Sequence, residues 1–294
     1  SAVGLCELLR AMGKTAWLLP SLDATKVFQD YLQGRQAPPD FAPDTVVSVD
    51  VASLGLLPAN AAPYQGRIDL AIDHHPSNEF FAQETCLEAD KAACGEIIWK
   101  IADHLGIMNS AIATPLYVAV ATDTGCFRFT NTTANTHLAA AKLIEAGADV
   151  EKLNERLFEC RSHARIQAEK MALESLEFYY EDRCALICLT WDQIQAAGVA
   201  GAELEDLTSI PRSIEGVEVG LTLRQQKDGS YKISVRTGHD TNACNIARRL
   251  GGGGHPRAAG CEISGNLDNA KHAILEEVKK ELDRAEAEKN SLEQ

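Results

Sequence analysis

The sequence predicts an α/β protein of two domains: a mostly parallel sheet flanked by helices over residues 1–160, and a smaller α/β domain over 181–294 facing it across a cleft, with a connecting helix at 161–180. Three observations predict it. Over the first 160 residues short β-rich runs alternate with helical periods, the pattern of a parallel sheet with helices on both faces. From Ser162 to about Tyr180 the run HARIQAEKMALESLEFYY has neither glycine nor proline and reads as one amphipathic helix between domains. Beyond it strands dominate, and Asp228-Gly229 supplies the turn of a hairpin. With 294 residues, 45% hydrophobic and 24% charged, the chain can fill two cores.

The elements follow in order. A helix runs to about Met12, TAWLL reads as a strand and ATKVFQDYLQG as a helix; TVVSVD, IDLAID and CLEAD are strands leading into long Ala-rich helices. In the second domain come the strand CALICLT, the hairpin GVEVGLTLRQQKDGSYKISVRT, the helix NACNIARRL, a glycine cluster, and a helix from about Leu267. The end of that helix, DRAEAEKNSLEQ, is polar all round and is expected to fray.

Composition narrows the function. No apolar run reaches the roughly 18 to 20 residues of a membrane span, and SAVGLCELLRAMGK lacks the basic start and cleavage site of a signal peptide. Nine cysteines without a Cys-x-x-Cys pair read as reduced thiols, so a cytoplasmic location is expected. The net charge of -14 argues against a protein that coats long nucleic acid. Between Arg212 and Arg257, however, eight Lys and Arg face four Asp and Glu, a local balance that suits a small anionic ligand.

Ligands of parallel sheets bind beyond the carboxyl ends of the strands. Asp50 closes TVVSVD, while Asp73, His74 and His75 close IDLAID. Asp123 follows an apolar helix in AVATDTGCFRF. Each feature has a bland reading: Asp123-Thr124 as a helix N-cap, the two histidines as a surface pair. Their convergence on one rim favours a metal site. Carboxylate oxygen and imidazole nitrogen suit Mn²⁺, and also Zn²⁺ or Fe²⁺; a bridging carboxylate holds two ions about 3.5 to 4 Å apart in phosphoryl hydrolases. In the second domain, GGGGHPRAAG sets glycines before His255, where bare backbone can meet an anion. A helix C-cap needs only one glycine, so the others are expected to serve binding. Arg236, ending SVRT, can grip a phosphate bidentately or remain a solvated surface arginine.

Together these segments resemble the DHH phosphoesterase superfamily, named for the triplet found here as Asp73-His74-His75, and within it the nano-RNases that also dephosphorylate 3′-phosphoadenosine 5′-phosphate (PAP). VVSVDVAS, AIDHHPSN and ATDTGCFRFTNTT are similar to three of its motifs, and KISVRTGHDTNACNIARRLGGGGHPRAAG is similar to the signature of its C-terminal domain. The resemblance implies that Asp50 bridges two metals and that His74 and Asp123 complete one metal's shell. It implies that His75 faces the scissile phosphate, with Asp73 fixing an imidazole tautomer, and that Arg236, His255 and the backbone of Gly252, Gly253 and Gly254 clamp the substrate's nucleotide end. It further implies two Mn²⁺ ions, with Mg²⁺ or Co²⁺ as alternatives. Its substrates would be short single-stranded RNA, dinucleotides and PAP, with no duplex and no membrane partner, and a homodimer is compatible with it.

The family's first motif, an apolar strand followed by His-x-x-x-Asp-x-Asp, is missing, since the sequence starts where the next helix starts. We expect an N-terminally truncated record; a natively short chain would be severely impaired. Thr237 stands where the family usually has serine, and keeps the hydroxyl. The alternatives are a cyclic or linear dinucleotide phosphodiesterase, a RecJ-like single-strand exonuclease whose binding module is not visible here, a manganese pyrophosphatase, which would lack GGGGH, and an inactive nucleotide-binding remnant.

Overall fold

The computed structural model describes residues 1–21, 24, 26–199 and 202–292. The chain divides into two compact units, 1–160 and 161–294, each with its own core.

In the first unit α1 (Ala2–Ala11) and α2 (Lys26–Leu32) precede three strands, β1 (Val47–Val49), β2 (Leu70–Asp73) and β3 (Glu84–Leu87). Thr25, at the expected start of the second helix, lies outside the described residues. The strands pair in the order β1-β2-β3, all parallel. TAWLL does not join them. Leu18 makes only an isolated bridge to Gln36, because the segment runs beside the loop after α2 instead of beside a strand of the sheet.

Four helices follow: α3 (Cys94–His104), α4 (Ser110–Asp123), α5 (Ala134–Glu145) and α6 (Val150–Asn154). Helix α4 starts where the Asn109 side chain accepts from the N–H groups of Ala111 and Ile112. It is apolar on every side and correspondingly central, with Ile112, Leu116 and Val120 fully buried. Small residues let its neighbours close in. A Cβ on Gly95 of α3 would stand 2.9 Å from the Ala119 Cβ and 3.2 Å from the Leu116 carbonyl oxygen.

The second unit begins with α7 (His163–Glu174), which is shorter than the sequence suggests and is no mere connector. Ala168 and Ala172 pack in the same cluster as Ile187 and Leu189 of the second unit. The helix stops at Ser175, whose hydroxyl donates to the Ala172 carbonyl and accepts the N–H of Cys188. The β-favouring aromatics that follow then form an edge strand, β4 (Glu177–Tyr179), against β5 (Cys184–Leu189). Next come α8 (Trp191–Ala197), α9 (Ala202–Asp206), the hairpin β6 (Val219–Gln225) and β7 (Tyr231–Thr237), α10 (Ala243–Arg248), β8 (Gly253–His255), β9 (Ala258–Ile263) and α11 (Leu267–Leu292).

The second sheet has the order β4-β5-β6-β7-β9-β8, antiparallel except for the pair β5–β6. One face packs on α10 and α11 through residues such as Leu221, Ile233, Ile246 and Ile274. The tail expected to fray is helical to Leu292, and residues 293–294 lie outside the described residues. Burial of Leu282 and Ala285, with Arg284 paired to Glu281 and Glu288, holds it. No described helix is long and apolar enough to cross a membrane.

Candidate metal centre

Each acid of the predicted site sits where a backbone element ends. After β1, the N–H of Asp50 still bonds to the Ile72 carbonyl at 2.9 Å, but its φ of 66° swings the chain out of the sheet. Aspartate tolerates that left-handed conformation better than bulkier residues do. Asp123 closes α4, and Asn131 fixes this end by donating to the Asp123 carbonyl. An acid at a helix C-terminus is opposed by the helix dipole, so folding gives no reason for it; the N-cap reading of Asp123 is thereby corrected.

Asp73 is fully buried at the end of β2. Its Oδ1 accepts from the N–H groups of His74 and His75 at 2.8 and 3.3 Å and from His75 Nδ1 at 2.7 Å, and its Oδ2 accepts from Asn78 Nδ2 at 2.6 Å. Burial alone would raise its pKa. The hydrogen bonds of Asn78, His75 and His74 outweigh that and hold the carboxyl below its ordinary range.

The His74 ring is oriented from behind: its Nδ1 lies 3.1 Å from the Lys91 carbonyl, which can only accept, so Nδ1 carries a proton. Nε2 therefore points forward, 3.4 Å from Asp50 Oδ1 and 3.5 Å from Asp123 Oδ2. Burial opposes a charge on this ring. The hydrogen bonds to Asp50 and the Lys91 carbonyl, with the charges of Asp50 and Asp123, prevail and raise its pKa to about 9. The two acids shift in opposite directions. Burial pushes Asp50 up, but bonds from His74 and the Ser1 hydroxyl bring it below its ordinary value; burial and then the Asp50 charge push Asp123 up. Mutual repulsion between acids around one imidazole is relieved by a cation.

Ligand atoms of Asp50, His74 and His75 lie within 4.8 Å of one another, and Asp123 joins them through His74. Two carboxylates and an imidazole with a forward Nε2 fit a divalent cation such as Mn²⁺ or Zn²⁺. The His75 side chain is 43% exposed; with Nδ1 held by Asp73, its Nε2 is turned away from that acid. Three residues in a row after Asp123, Gly125, Cys126 and Phe127, have φ of 56°, 59° and 62°. Phe127 is secured by stacking on His137, and Arg128 Nε donates to the Gly125 carbonyl at 2.6 Å.

Sequence reasoning missed Asn78, Asn131 and the Lys91 carbonyl. Asn78, in HHPSN, could have been found as a polar residue close after the triplet. A backbone carbonyl leaves no trace in the sequence.

The second unit holds the residues expected to grip an anion. His255 pairs with Ala258, Ala258 with Arg236, and Arg236 with Gly220, which places the four in one cross-strand row on one face of the sheet. The glycines correct the expectation that folding needs only one of them. Gly251 has φ 77° after α10; a Cβ on Gly252 would stand 2.2 Å from the Gly260 carbonyl oxygen, and one on Gly254, at φ 143°, would stand 2.6 Å from that of Ala258. Of the four, Gly253 alone combines open space around an added Cβ with a φ outside the left-handed region. The Gly252 N–H is already bonded to the Ala247 carbonyl and is therefore not free for an anion.

Two aspartates and a histidine gathered at the ends of β1, β2 and α4, in a chain whose second unit carries an arginine and a histidine in one row, are a donor set that suits a metal-dependent phosphoester hydrolase. The DHHA1 domain model matches residues 186–283. The chain is 33% identical over 292 residues to the bifunctional oligoribonuclease and PAP phosphatase NrnA of Thermus thermophilus, covering 97% of this chain and 86% of that protein. A probable protein of the same name from Streptococcus mutans is 27% identical over 73% of this chain and 68% of its own length. The fold is also that of an exopolyphosphatase-related protein from Bacteroides fragilis, with a TM-score of 0.73 at 22% identity over 83% of this chain and 73% of that one. The chain belongs to the DHH phosphoesterases, in the family of bifunctional oligoribonuclease and PAP phosphatase proteins.

Proposed function

We propose that this protein hydrolyses very short single-stranded oligoribonucleotides and removes the terminal phosphate of PAP, using Mn²⁺. The observation that carries the reading is the approach of Asp50 and Asp123 to within 3.4 and 3.5 Å of one imidazole nitrogen, that of His74. Asp50, His74 and Asp123 hold the metal, which supplies Lewis-acid charge and lowers the pKa of water. Asp73 holds the His75 ring through Nδ1, so that its Nε2 faces the scissile phosphate. Arg236, His255 and the backbone around Gly253 grip the nucleotide end. A grip of so few groups favours short substrates, and a net charge of -14 repels long strands and duplexes. Nine free cysteines suit a reducing cytoplasm.

The test is Mn²⁺-dependent product release from a labelled diribonucleotide, PAP and a long single strand. Rapid turnover of the first two with slow attack on the third is expected. Equal or faster degradation of the long strand would move the protein to the processive exonucleases, and no turnover of any of them would overturn the reading.

A further inference from the structure

The basic row of the second unit has one more member than the motifs suggest. Arg212 lies in a short turn, Pro211–Ser213, whose backbone crosses β6 at Gly220. A Cβ on Gly220 would stand 2.6 Å from the Arg212 nitrogen and 3.0 Å from its Cα, so the glycine is what admits the arginine. Gly220 is the cross-strand partner of Arg236, and Arg212 therefore lies over the face that carries Arg236 and His255. Its guanidinium runs on to Gly238, two residues past Arg236, with Nη2 3.2 Å and Cζ 3.8 Å from where a Cβ would be.

The bonding of this side chain is incomplete. Arg212 Nε is buried and has no hydrogen-bond partner. Arg183, Arg224 and Arg284 of the same unit each hold a carboxylate. Among the described residues no carboxylate pairs with Arg212. Arg236 is similarly spare, donating only to the carbonyl of its own neighbour, Val235. Arg212, over Gly220, and Arg236, which only the small Ala258 separates from His255 in the cross-strand row, stand on one face of a chain with net charge -14, and among the described residues neither holds a carboxylate. The Nε of Arg224 is buried and unbonded as well, but its Nη2 holds Glu205, whereas among the described residues no guanidinium nitrogen of Arg212 has a partner.

We infer that Arg212 is a third substrate-binding side chain, which closes with Arg236 and His255 on a phosphate of the nucleotide. The inference rests on the proposed function for the identity of the anion. A planar fork fixed by its own backbone at Gly220 adds both charge and direction to the grip.

The experiment uses the whole protein with Mn²⁺, comparing wild type, Arg212→Gln and Arg212→Lys. KM and kcat for PAP are measured, and the affinity for adenosine 5′-monophosphate is measured by calorimetry. Loss of a charge-assisted hydrogen bond should raise both KM and the dissociation constant about tenfold or more. In Arg212→Gln kcat should stay within about twofold and the salt dependence of binding should weaken, while Arg212→Lys recovers part of the loss. Unchanged KM and affinity in a folded Arg212→Gln variant would overturn the inference, as would a lower melting temperature with unchanged binding, which would make Arg212 a packing residue. If wild type binds the nucleotide through Arg212 yet hydrolyses nothing, the inference stands and the proposed function fails. If wild type does not bind the nucleotide, the inference fails with it.

Discussion

Asp73 stays charged in a fully buried position because four N–H bonds replace the water it has lost. That charge in turn fixes the His75 ring. Asp73→Asn keeps the shape but loses the charge, so kcat with Mn²⁺ should fall by about 10- to 100-fold, as when other partners that orient active-site ligands are removed; an unchanged kcat would separate Asp73 from catalysis. Asn78→Ala acts one step further out. It leaves Asp73 short of a donor and should lower stability by about 1–3 kcal/mol in chemical denaturation. Asp50, Asp73, His74 and His75 were legible in the sequence because they stand at or just past the carboxyl end of a strand, where the fold class predicts ligands, and Asp123 because it ends an apolar helix. The groups that orient them were less so, since Asn78 reads as an ordinary loop residue and the Lys91 carbonyl is backbone.

Helix α4 connects packing to chemistry, because the element that fills the first core also carries Asp123. Its separation from α3 is set at Gly95, where an added methyl meets Ala119 and the Leu116 carbonyl. Gly95→Ala should cost about 1–3 kcal/mol in thermal unfolding through overpacking and weaken metal binding by displacing Asp123. In the second unit, Glu205 of α9 accepts from the largely buried Arg224 of β6 at 2.6 Å, and that bond lowers its pKa from 4.5. The stability contributed is fully present above pH 4.5 and lost as pH falls through the lowered value. Glu205→Gln should therefore flatten the acid side of the melting-temperature profile, and an unaltered acid limb would count against the pairing. Strong periodicity made most elements readable. The misread ones were decided by long-range contacts: β4 by pairing with β5, β8 by pairing with β9, and the TAWLL segment by lacking a neighbouring strand.

Across the whole molecule, charge is distributed against the average. A chain of net charge -14 concentrates acids around one histidine in its first unit and leaves arginines unpaired on one face of its second. Each unit thus gathers charge of the sign opposite to that of its proposed ligand, a cation for the first and a phosphate for the second. The fold class and this division of labour follow from strand ends and local charge balance. The glycine cluster was harder to read, because the same residues serve tight strand packing and anion approach, and only coordinates separate Gly252 and Gly254 from Gly253. The most direct test of the account is anomalous diffraction at the manganese edge from crystals grown with Mn²⁺. The account predicts a peak enclosed by Asp50, His74 and Asp123 that disappears in Asp50→Asn; a Mn²⁺-dependent protein whose only peaks lie away from these three side chains would contradict it.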